Sequence, residues 1–422
     1  MNFCVIGAGS GGRAFAAYIS SKGYPVSLYN RSYSRISSIR KRGGIRAVGE
    51  LVGFFPIKLA TQNLQLAIKD ADIIMIAVPA FAHKHIAKKL KSLICPQQII
   101  ILNPGRTFGS VEVKKIIDRK KERNTVKVGE TQTLLFTSRE LPENKVNIIK
   151  IKDAVNFSAF PDKDTNFIYD KLKEVFPQFI PIDNYLEVTL NNIGMLLHPI
   201  ITLLNTGMID FGKRFKFYKE GATKRVCEVI ESIELEINKI FKNLRLKQLK
   251  FYKWAKKSYN VSVNNIYEAI QKITAYKNIN SPESLISRYF TEDVPTGLVP
   301  MSSLGKFLGI STPIIDSVIY LSSIICGENF EESGRTIIKL NLSDFFINYL
   351  TELRTSELEL KGYYSTHHIL SQPNDFIVCS HCGCINSLKN KLCWVCHLND
   401  FRKITTRDLI KLKRNLKELI RA

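Results

Sequence analysis

A glycine-rich loop near the start of the chain has the spacing that binding of a dinucleotide requires. It follows an apolar run at 3–6 and precedes a segment with helical spacing at 13–22, and its residues are Gly7, Ala8, Gly9, Ser10, Gly11 and Gly12. In the G-x-G-x-x-G pattern, the first glycine permits a tight turn, the second lets the backbone approach a pyrophosphate, and the third allows close packing of the helix. The start of that helix also offers free N–H groups to the phosphate. The loop therefore predicts a site for a nicotinamide dinucleotide.

The choice of dinucleotide depends on the end of the second predicted strand, at Asn30, Arg31 and Ser32. A site selective for NAD usually has Asp or Glu here, which accepts hydrogen bonds from the ribose hydroxyls. Asn30 carries no charge that would repel a 2′-phosphate, and Arg31 and Ser32 could bind one. We therefore expect NADPH as the cofactor, with NADH as the alternative. Val78 and Pro79 follow a later apolar run and are expected to line the same site, because ligands bind at the carboxyl ends of parallel strands.

Four polar residues beyond residue 184 are of the types that hydride transfer to an imine or a ketone requires. Asn191 and His198 lie in the apolar segment 187–205, which predicts one buried helix with both side chains on one face, about two turns apart. Arg288 and Asp293 lie in a segment that also holds two prolines and a glycine. The reaction needs an acid–base group, a carboxylate that orients it and a cation for the substrate carboxylate. His198, Asp293 and Arg288 fit these roles in that order.

Five of the nine cysteines lie between residues 379 and 396. Cys379, Cys382, Cys393 and Cys396 form two C-x-x-C pairs, a spacing typical of zinc ribbons. Two such pairs supply four thiolates to a tetrahedral ion and leave no open position for catalysis, so we expect a structural Zn2+. Three further residues are spare candidates as ligands: Cys384, His381 and His397.

These residues must be positioned by an α/β domain and a helical domain. The first half of the chain alternates apolar strand segments with helical ones, which is typical of a Rossmann-type doubly wound sheet. From about residue 184, long helical periodicity replaces this alternation and indicates an all-α domain. The predicted organisation is, in order, a dinucleotide-binding Rossmann domain at 1–182, a helical substrate domain at 183–350, a linker at 351–374, a small zinc-ribbon-like module at 375–400 and a basic amphipathic helix at 401–422.

The chain carries a formal net charge of +23. Such a charge could indicate an acidic partner, such as nucleic acid or an anionic membrane. It is spread along the chain, however, so we favour a compositional bias, and for the C-terminal helix we favour docking over contact with nucleic acid or a membrane. No apolar stretch approaches the roughly 20 residues of a membrane span, and no signal peptide precedes the glycine loop. A cytoplasmic location is therefore expected.

Beyond the separate motifs, the chain resembles the octopine/nopaline dehydrogenases, or opine dehydrogenases, over roughly residues 1–345. The segments that carry the resemblance are the glycine loop, 78–83, 103–106, 129–134, 191–199, 217–221, 291–299, 312–313 and 334–336. The resemblance implies that His198 is the catalytic acid–base, that Asp293 polarises it, and that Arg288 lies beside the substrate carboxylate and the nicotinamide. The implied reaction is NAD(P)H-dependent reductive condensation of an α-keto acid with the amine of an amino acid.

Two other functions fit the same residues. The scaffold could reduce a 2-keto acid to a 2-hydroxy acid, and no amine would then be needed. Alternatively, the chain could be a nucleotide-sensing binding protein that acts through its zinc-bearing basic tail. The joint presence of Asn191, His198, Arg288 and Asp293 favours an active enzyme. The identity of the amino acid and the keto acid stays open, as does the oligomeric state, for which a homodimer is one alternative.

Overall fold

The structure is a computed structural model that describes residues 1–118, 126–360, 366–393 and 398–419. The chain divides into two compact units, Met1–Leu340 and Asn341–Ala422. The strands of the first unit are, in chain order, β1 (Phe3–Ile6), β2 (Val26–Tyr29), β3 (Gly44–Gly49), β4 (Gly53–Pro56), β5 (Leu59–Thr61), β6 (Ile73–Ile76), β7 (Ile99–Leu102), β8 (Lys127–Thr131), β9 (Phe136–Glu140), β10 (Lys145–Ile151), β11 (Val155–Phe160) and β12 (Phe179–Pro181).

Eight of these strands form the main sheet, in the order β12-β11-β8-β7-β6-β1-β2-β5. All neighbours pair in parallel except β8 and β11, which are antiparallel. The strand order reverses beside β1, so the loops after β1, β6 and β7 open at the same edge of the sheet. The predicted doubly wound sheet is confirmed. A second sheet, in the order β4-β3-β10-β9, was not predicted.

Alternate side chains of the central strands bury two separate apolar cores. Phe3, Val5, Ile73 and Met75 belong to the core on one face of the main sheet, while Cys4, Ile6, Ile74 and Ile76 belong to the core on the other. Because neighbouring residues of a strand point to opposite faces, a strand with both faces covered must be apolar throughout. This explains the continuous apolar runs of the first half of the chain.

Helices cover the main sheet and then form a domain of their own within the first unit. No helix of the described part of the chain is long and apolar enough to span a bilayer. The helices are α1 (Ser10–Ser21), α2 (Ser37–Arg42), α3 (Leu64–Ile68), α4 (His83–Leu90), α5 (Gly109–Ile117) and α6 (Thr165–Leu172), followed by α7 (Tyr185–Thr189), α8 (Ile193–Leu203), α9 (Thr206–Asp210), α10 (Lys224–Asn243), α11 (Phe251–Tyr259), α12 (Ile266–Lys272), α13 (Arg288–Thr291), α14 (Val299–Phe307), α15 (Pro313–Cys326) and α16 (Phe330–Ser333).

The single helix predicted over 187–205 is wrong, because α7 ends at Thr189 and α8 begins at Ile193. Asn192 has an extended backbone and its side chain accepts a hydrogen bond from Gly194 N, which makes it the N-cap of α8. The chain therefore changes direction between Asn191 and His198. The prediction that these two side chains share one helix face is also wrong.

A buried arginine beyond α16 joins the helical residues to the loops of the main sheet. Arg335 is 4% exposed, and its guanidinium donates to the backbone oxygens of Gly105 and Thr107. It also forms an ion pair with Glu112 of α5 at 2.9 Å and approaches His83 Nδ1 at 3.3 Å. The loops after β6 and β7 are thus held in place by a residue from the far end of the unit.

The second unit contains α17 (Ser343–Leu360), α18 (Thr366–Ser371) and α19 (Thr406–Leu419) and the strands β13 (Phe376–Cys379), β14 (Ile385–Ser387) and β15 (Phe401–Lys403). The strands form a small antiparallel sheet in the order β14-β13-β15. Much of the segment predicted as a linker, 351–374, is therefore helical. The sheet reaches past residue 400, the predicted end of the zinc-ribbon-like module, and the C-terminal helix occupies Thr406–Leu419 of the segment predicted at 401–422.

Candidate active site

The glycine loop between β1 and α1 has the geometry that its sequence predicts. Gly7 has φ +111°, and a Cβ atom there would lie 2.6 Å from the Ala77 carbonyl oxygen. A Cβ atom on Gly12 would lie 1.7 Å from the carbonyl oxygen of Gly7, so neither position can carry a side chain. A Cβ atom on Gly9 would meet no atom within 4 Å. The loop is therefore tightly packed on the protein side and open at Gly9, where a pyrophosphate can approach the backbone.

Arg13, which no sequence motif marked as a site residue, fixes this loop to the second sheet. Its side chain is 3% exposed and forms an ion pair with Glu140 of β9 at 3.0 Å. Its Nε donates to the carbonyl oxygen of Ala8 at 3.0 Å. The Ser10 hydroxyl oxygen accepts a hydrogen bond from Glu140 N. The backbone N–H groups at the start of α1 are thereby held in one position before any ligand binds.

Three residues follow β2 beside the glycine loop: the neutral Asn30 and the exposed Arg31 and Ser32. The Asn30 Oδ1 atom accepts a hydrogen bond from Ala8 N at 3.1 Å, and its Nδ2 donates to the Ser32 carbonyl oxygen at 3.0 Å. Asn30 therefore shapes the loop through its own hydrogen bonds. Arg31 and Ser32 are exposed at the loop, and the Arg31 side chain makes no ion pair with the residues that the structure describes.

The glycine loop forms one end of a cleft with a volume of about 410 Å³, a size typical of small-molecule sites. Val78 and Pro79, at the end of β6, line it as predicted. His198 and Arg288 from the helical domain line it as well. The cleft thus brings the predicted dinucleotide loop and the predicted acid–base group to the same space.

His198 is hydrogen-bonded at both ring nitrogens. Its Nδ1 lies 2.7 Å from Asp293 Oδ2, and its Nε2 lies 2.9 Å from the Tyr218 hydroxyl. Burial alone would raise the pKa of the Asp293 carboxyl, but the charge of Arg106 and the contact with His198 lower it below its ordinary value. Because an ionised carboxylate can only accept, the proton of the neutral imidazole is on Nδ1. Burial raises the pKa of Tyr218 well above its ordinary value, so its hydroxyl donates to Nε2.

Arg106 is the cation that compensates Asp293, and it was missed as a site residue. It follows β7, and its Nη1 lies 3.0 Å from Asp293 Oδ1 while its Nε lies 3.1 Å from Glu292 Oε1. Its Nη1 also donates to Asn192 Oδ1 at 3.3 Å. Burial would lower the pKa of the guanidinium, but Asp293 and Glu292 raise it above its ordinary value. Arg106 thus holds the buried Asp293 carboxylate in its charged form and pairs with Glu292 as well.

Arg288 stands at the start of α13 with an exposed side chain that lines the cleft. Its guanidinium lies 5.9 Å from the centre of the Tyr289 ring, and that ring stacks on the imidazole of His198 at 4.5 Å. Among the described residues, the guanidinium forms no hydrogen bond and no ion pair. One aromatic ring therefore separates His198 from a cation that has no direct ion pair within the described part of the chain.

Asn191 lies apart from this group. Its Nδ2 donates to the carbonyl oxygens of Glu187 and Lys247, and its Oδ1 accepts from Leu249 N. Asn191 is buried and does not line the cleft. Its amide therefore holds the turn between α7 and α8 against the segment before α11. Of the four predicted catalytic residues, the structure brings together His198, Asp293 and Arg288 only.

A row of aromatic side chains, which we call the aromatic wall, runs along the cleft away from His198. Tyr218 stacks on Tyr276 with ring centres 4.0 Å apart, and Tyr259 follows at 5.8 Å from Tyr276. Trp254 lies 5.4 Å from Tyr259, and the Lys152 ammonium lies 5.9 Å from both of these last rings. These residues come from distant parts of the sequence, so their spacing gave no signal.

The second unit contains a separate cluster of three cysteines. The sulfur atoms of Cys379, Cys382 and Cys393 all lie within 4.8 Å of one another, while Cys396 and His397 lie outside the described residues. Among the described residues, neither Cys384 nor His381 belongs to the cluster. The Asn386 Nδ2 atom lies 3.6 Å from the sulfur of Cys393. The turn after Cys382 contains Gly383 at φ +74°, and Gly383 N donates to the Cys379 carbonyl oxygen.

Comparisons with known proteins identify the family of this chain. The family model for the alpha-helical domain of NAD/NADP octopine/nopaline dehydrogenase matches residues 181–326. The model for the N-terminus of NAD-dependent glycerol-3-phosphate dehydrogenase matches residues 2–123. The opine dehydrogenase of Arthrobacter sp. (strain 1C) is 40% identical over 342 residues, which cover 81% of this chain and 95% of that protein. The chain belongs to the opine dehydrogenase family.

More distant members of the family share the fold. Vitopine synthase of Allorhizobium ampelinum is 24% identical over 310 residues, which cover 72% of this chain and 84% of that protein. A structure of octopine dehydrogenase with NADH and pyruvate has a TM-score of 0.66 at 18% identity, covering 81% of this chain and 96% of that one. A structure of yersinopine dehydrogenase with NADP+ has a TM-score of 0.64 at 14% identity, covering 83% and 98%.

Membership of the opine dehydrogenase family confirms the predicted enzyme class. The chain is an NAD(P)-dependent oxidoreductase that acts on CH–NH bonds by reductive condensation. The matches to the two family models end at residues 123 and 326, so neither reaches the second unit.

Proposed function

We propose that the cleft joins an α-keto acid to the α-amine of an amino acid, with His198 as the acid–base group. The observation that carries this proposal is the contact of 2.7 Å between His198 and Asp293, in a cleft that ends at the glycine loop. The keto acid and the amine condense to an imine with loss of water. Reduction then adds a hydride and a proton and gives a secondary amine. NAD(P)H, when bound at the glycine loop, supplies the hydride.

His198 handles the proton at Nε2. Asp293 fixes the ring through Nδ1, and its negative charge stabilises the imidazolium that forms when Nε2 takes up a proton. The Tyr218 hydroxyl, at 2.9 Å, keeps Nε2 hydrogen-bonded and turned toward the aromatic wall. Since Arg106 holds Asp293 ionised, the carboxylate keeps its charge while the histidine changes its own.

Arg288 binds the carboxylate of the keto acid. Its guanidinium lines the cleft without a direct ion pair to a described carboxylate, and the Tyr289 ring lies between it and His198. A guanidinium presents paired N–H donors that match the two oxygens of a carboxylate. This contact would place the keto carbon, and the imine formed from it, beside the imidazole.

NADPH is the expected form of the cofactor, with NADH as the alternative. The loop after β2 offers the exposed Arg31 and Ser32 and no carboxylate, so a 2′-phosphate would meet a cation and a hydroxyl without a repelling charge. An Arg31→Ala variant should raise the KM for NADPH and leave the KM for NADH unchanged. An equal rise for both cofactors would contradict this assignment.

The cysteine cluster of the second unit fits a structural zinc ion. Tetrahedral zinc with Zn–S bonds of about 2.3 Å separates its sulfur ligands by about 3.8 Å, and the Cys382 and Cys393 sulfurs lie 3.5 Å apart. Cys379, Cys382 and Cys393 would supply three thiolates, and Cys396 is proposed as the fourth. Metal analysis should find zinc in the purified chain and in the control variant Cys384→Ser, but not in Cys382→Ser.

The decisive assay for the cleft follows NADPH and NADH absorbance while keto acids are paired with a panel of amino acids. Pyruvate, 2-oxoglutarate and oxaloacetate serve as keto acids. Oxidation should require both the keto acid and the amine. His198→Ala should lower kcat by about a hundredfold or more, while His85→Ala, which changes an exposed histidine outside the cleft, should not. Oxidation with a keto acid alone would indicate a 2-hydroxy acid dehydrogenase and contradict the proposal.

A further inference from the structure

Two buried donors at the end of the aromatic wall are not fully paired. Lys152 is 6% exposed, and its ammonium donates to the carbonyl oxygen of Leu134 but forms no ion pair with the residues that the structure describes. Trp254 is 3% exposed, and its indole N–H makes no hydrogen bond in the described part of the chain. A buried charge without a counter-ion and a buried N–H group without an acceptor are both costly.

The rest of the cleft does not compensate Lys152. Both carboxylates near His198, those of Glu292 and Asp293, are already paired with Arg106. Burial, together with the charge of Arg106, lowers the pKa of Lys152 to about 7. An anion placed beside the ammonium would therefore restore the charged form and satisfy a donor at once.

The cofactor phosphates are not suited to be this anion. The Leu134 side chain lies against Gly11, since a Cβ atom on Gly11 would be 3.1 Å from Leu134 Cδ2, while the Leu134 carbonyl oxygen faces the Lys152 ammonium. Leu134 therefore stands between Lys152 and the glycine loop. The anion must then come from a substrate.

We propose that Lys152 and the indole N–H of Trp254 bind a carboxylate of the amino-acid substrate, at the end of the aromatic wall opposite His198. This inference rests on the proposed function, because it assumes that the amine substrate lies along the wall. The carboxylate is either the α-carboxylate or one at the end of the side chain. An amino acid with a cationic side chain is disfavoured there, because two like charges would meet in a buried site.

Calorimetric titration of the full chain, saturated with oxidised cofactor and without keto acid, tests the proposal without turnover. Two matched pairs serve as probes, L-glutamate with L-glutamine and L-alanine with L-alaninamide. In each pair a carboxylate is replaced by an amide of nearly the same shape. The unmodified enzyme should bind the carboxylate member of one pair at least about tenfold more tightly. The pair that shows this preference identifies which carboxylate is bound.

Two variants complete the test. Lys152→Met should abolish the preference for the carboxylate member, while the amide member binds as before. Lys152→Arg should retain the preference, and it keeps the proposal testable if the methionine variant folds poorly. The proposal is overturned if neither pair shows a preference, if Lys152→Met weakens both members of a pair equally, or if it weakens only the cofactor or the keto acid. Normal titrations combined with no turnover would count against the proposed reaction and not against this binding site.

Discussion

Replacing Lys152 with methionine is expected to stabilise the ligand-free enzyme. Burial, with a contribution from Arg106, lowers the pKa of the ammonium from 10.5 to about 7. At about 1.4 kcal/mol for each pKa unit, keeping this group in the folded protein costs about 4 kcal/mol at neutral pH. Methionine avoids that cost but leaves the Leu134 carbonyl oxygen without its donor, a loss of about 1–3 kcal/mol. The net gain should be about 2 kcal/mol at neutral pH.

The pH dependence of this gain has a definite sign. Between the folded pKa of about 7 and the unfolded value of 10.5, the unfolded chain binds the Lys152 proton and the folded chain does not. The free-energy cost of burying Lys152 therefore falls, and the free energy of unfolding rises, as the pH rises through this window. The advantage of the methionine variant over the unmodified protein should shrink over the same window. Thermal unfolding of both proteins at a series of pH values measures the difference.

Lys114 provides a matched control. It is also buried, but its ammonium pairs with Asp118 at 3.1 Å and donates to the Val126 carbonyl oxygen. Lys114→Met should therefore destabilise the protein, with no gain at neutral pH. If Lys152→Met lowers the unfolding temperature as much as Lys114→Met, or if its effect does not change with pH, the ammonium is not an uncompensated charge.

Three further changes have expected outcomes. Asp293→Asn should lower kcat by about a hundredfold or more, because an amide does not stabilise the imidazolium of His198; a kcat within a few-fold of the unmodified value would remove Asp293 from the mechanism. Arg106→Met should destabilise the protein by about 3–5 kcal/mol, since Asp293 and Glu292 would stay buried without their cation; thermal denaturation measures this, and an unchanged midpoint would refute it. A strong chelator should remove about one zinc ion per chain, and the sheet of β13, β14 and β15 should then unfold while dehydrogenase activity stays unchanged. Metal analysis and circular dichroism follow the two losses, and retained structure in a metal-free chain would argue against a structural metal.

The parts of the fold that local patterns determine could be predicted from the sequence. The glycine loop, the strands after it and the cleft position of Val78 and Pro79 follow from spacings within a few residues. The second sheet could not be predicted, because its central pairing joins Arg46 to Lys145 across the length of the domain. Strand pairs so distant in sequence leave no periodic signal in either segment.

The candidate site, like the fold, could be predicted from the sequence only in part. His198, Asp293 and Arg288 were identified from residue types together with the family resemblance, and the structure brings them to one cleft. Asn191 was misplaced because the segment is apolar on all sides, and such a pattern does not reveal a break. The Asn192 side chain is a helix-capping signal that could have shown where α8 begins. The partnership of Arg106 with Asp293 had no signal, since only the folded chain brings them together.

Arg335 has a consequence for exchanging domains between members of the family. It lies beyond residue 326, where the match to the helical-domain model ends, yet its contacts are with the loops after β6 and β7 and with α5. Consider a chimaera that joins this dinucleotide-binding half to a foreign helical half that ends at the position of residue 326. It would lack Arg335, so Glu112 and the Gly105 and Thr107 carbonyl oxygens would have no donor. The unit that can be inherited or transplanted as a working enzyme therefore extends at least through Arg335.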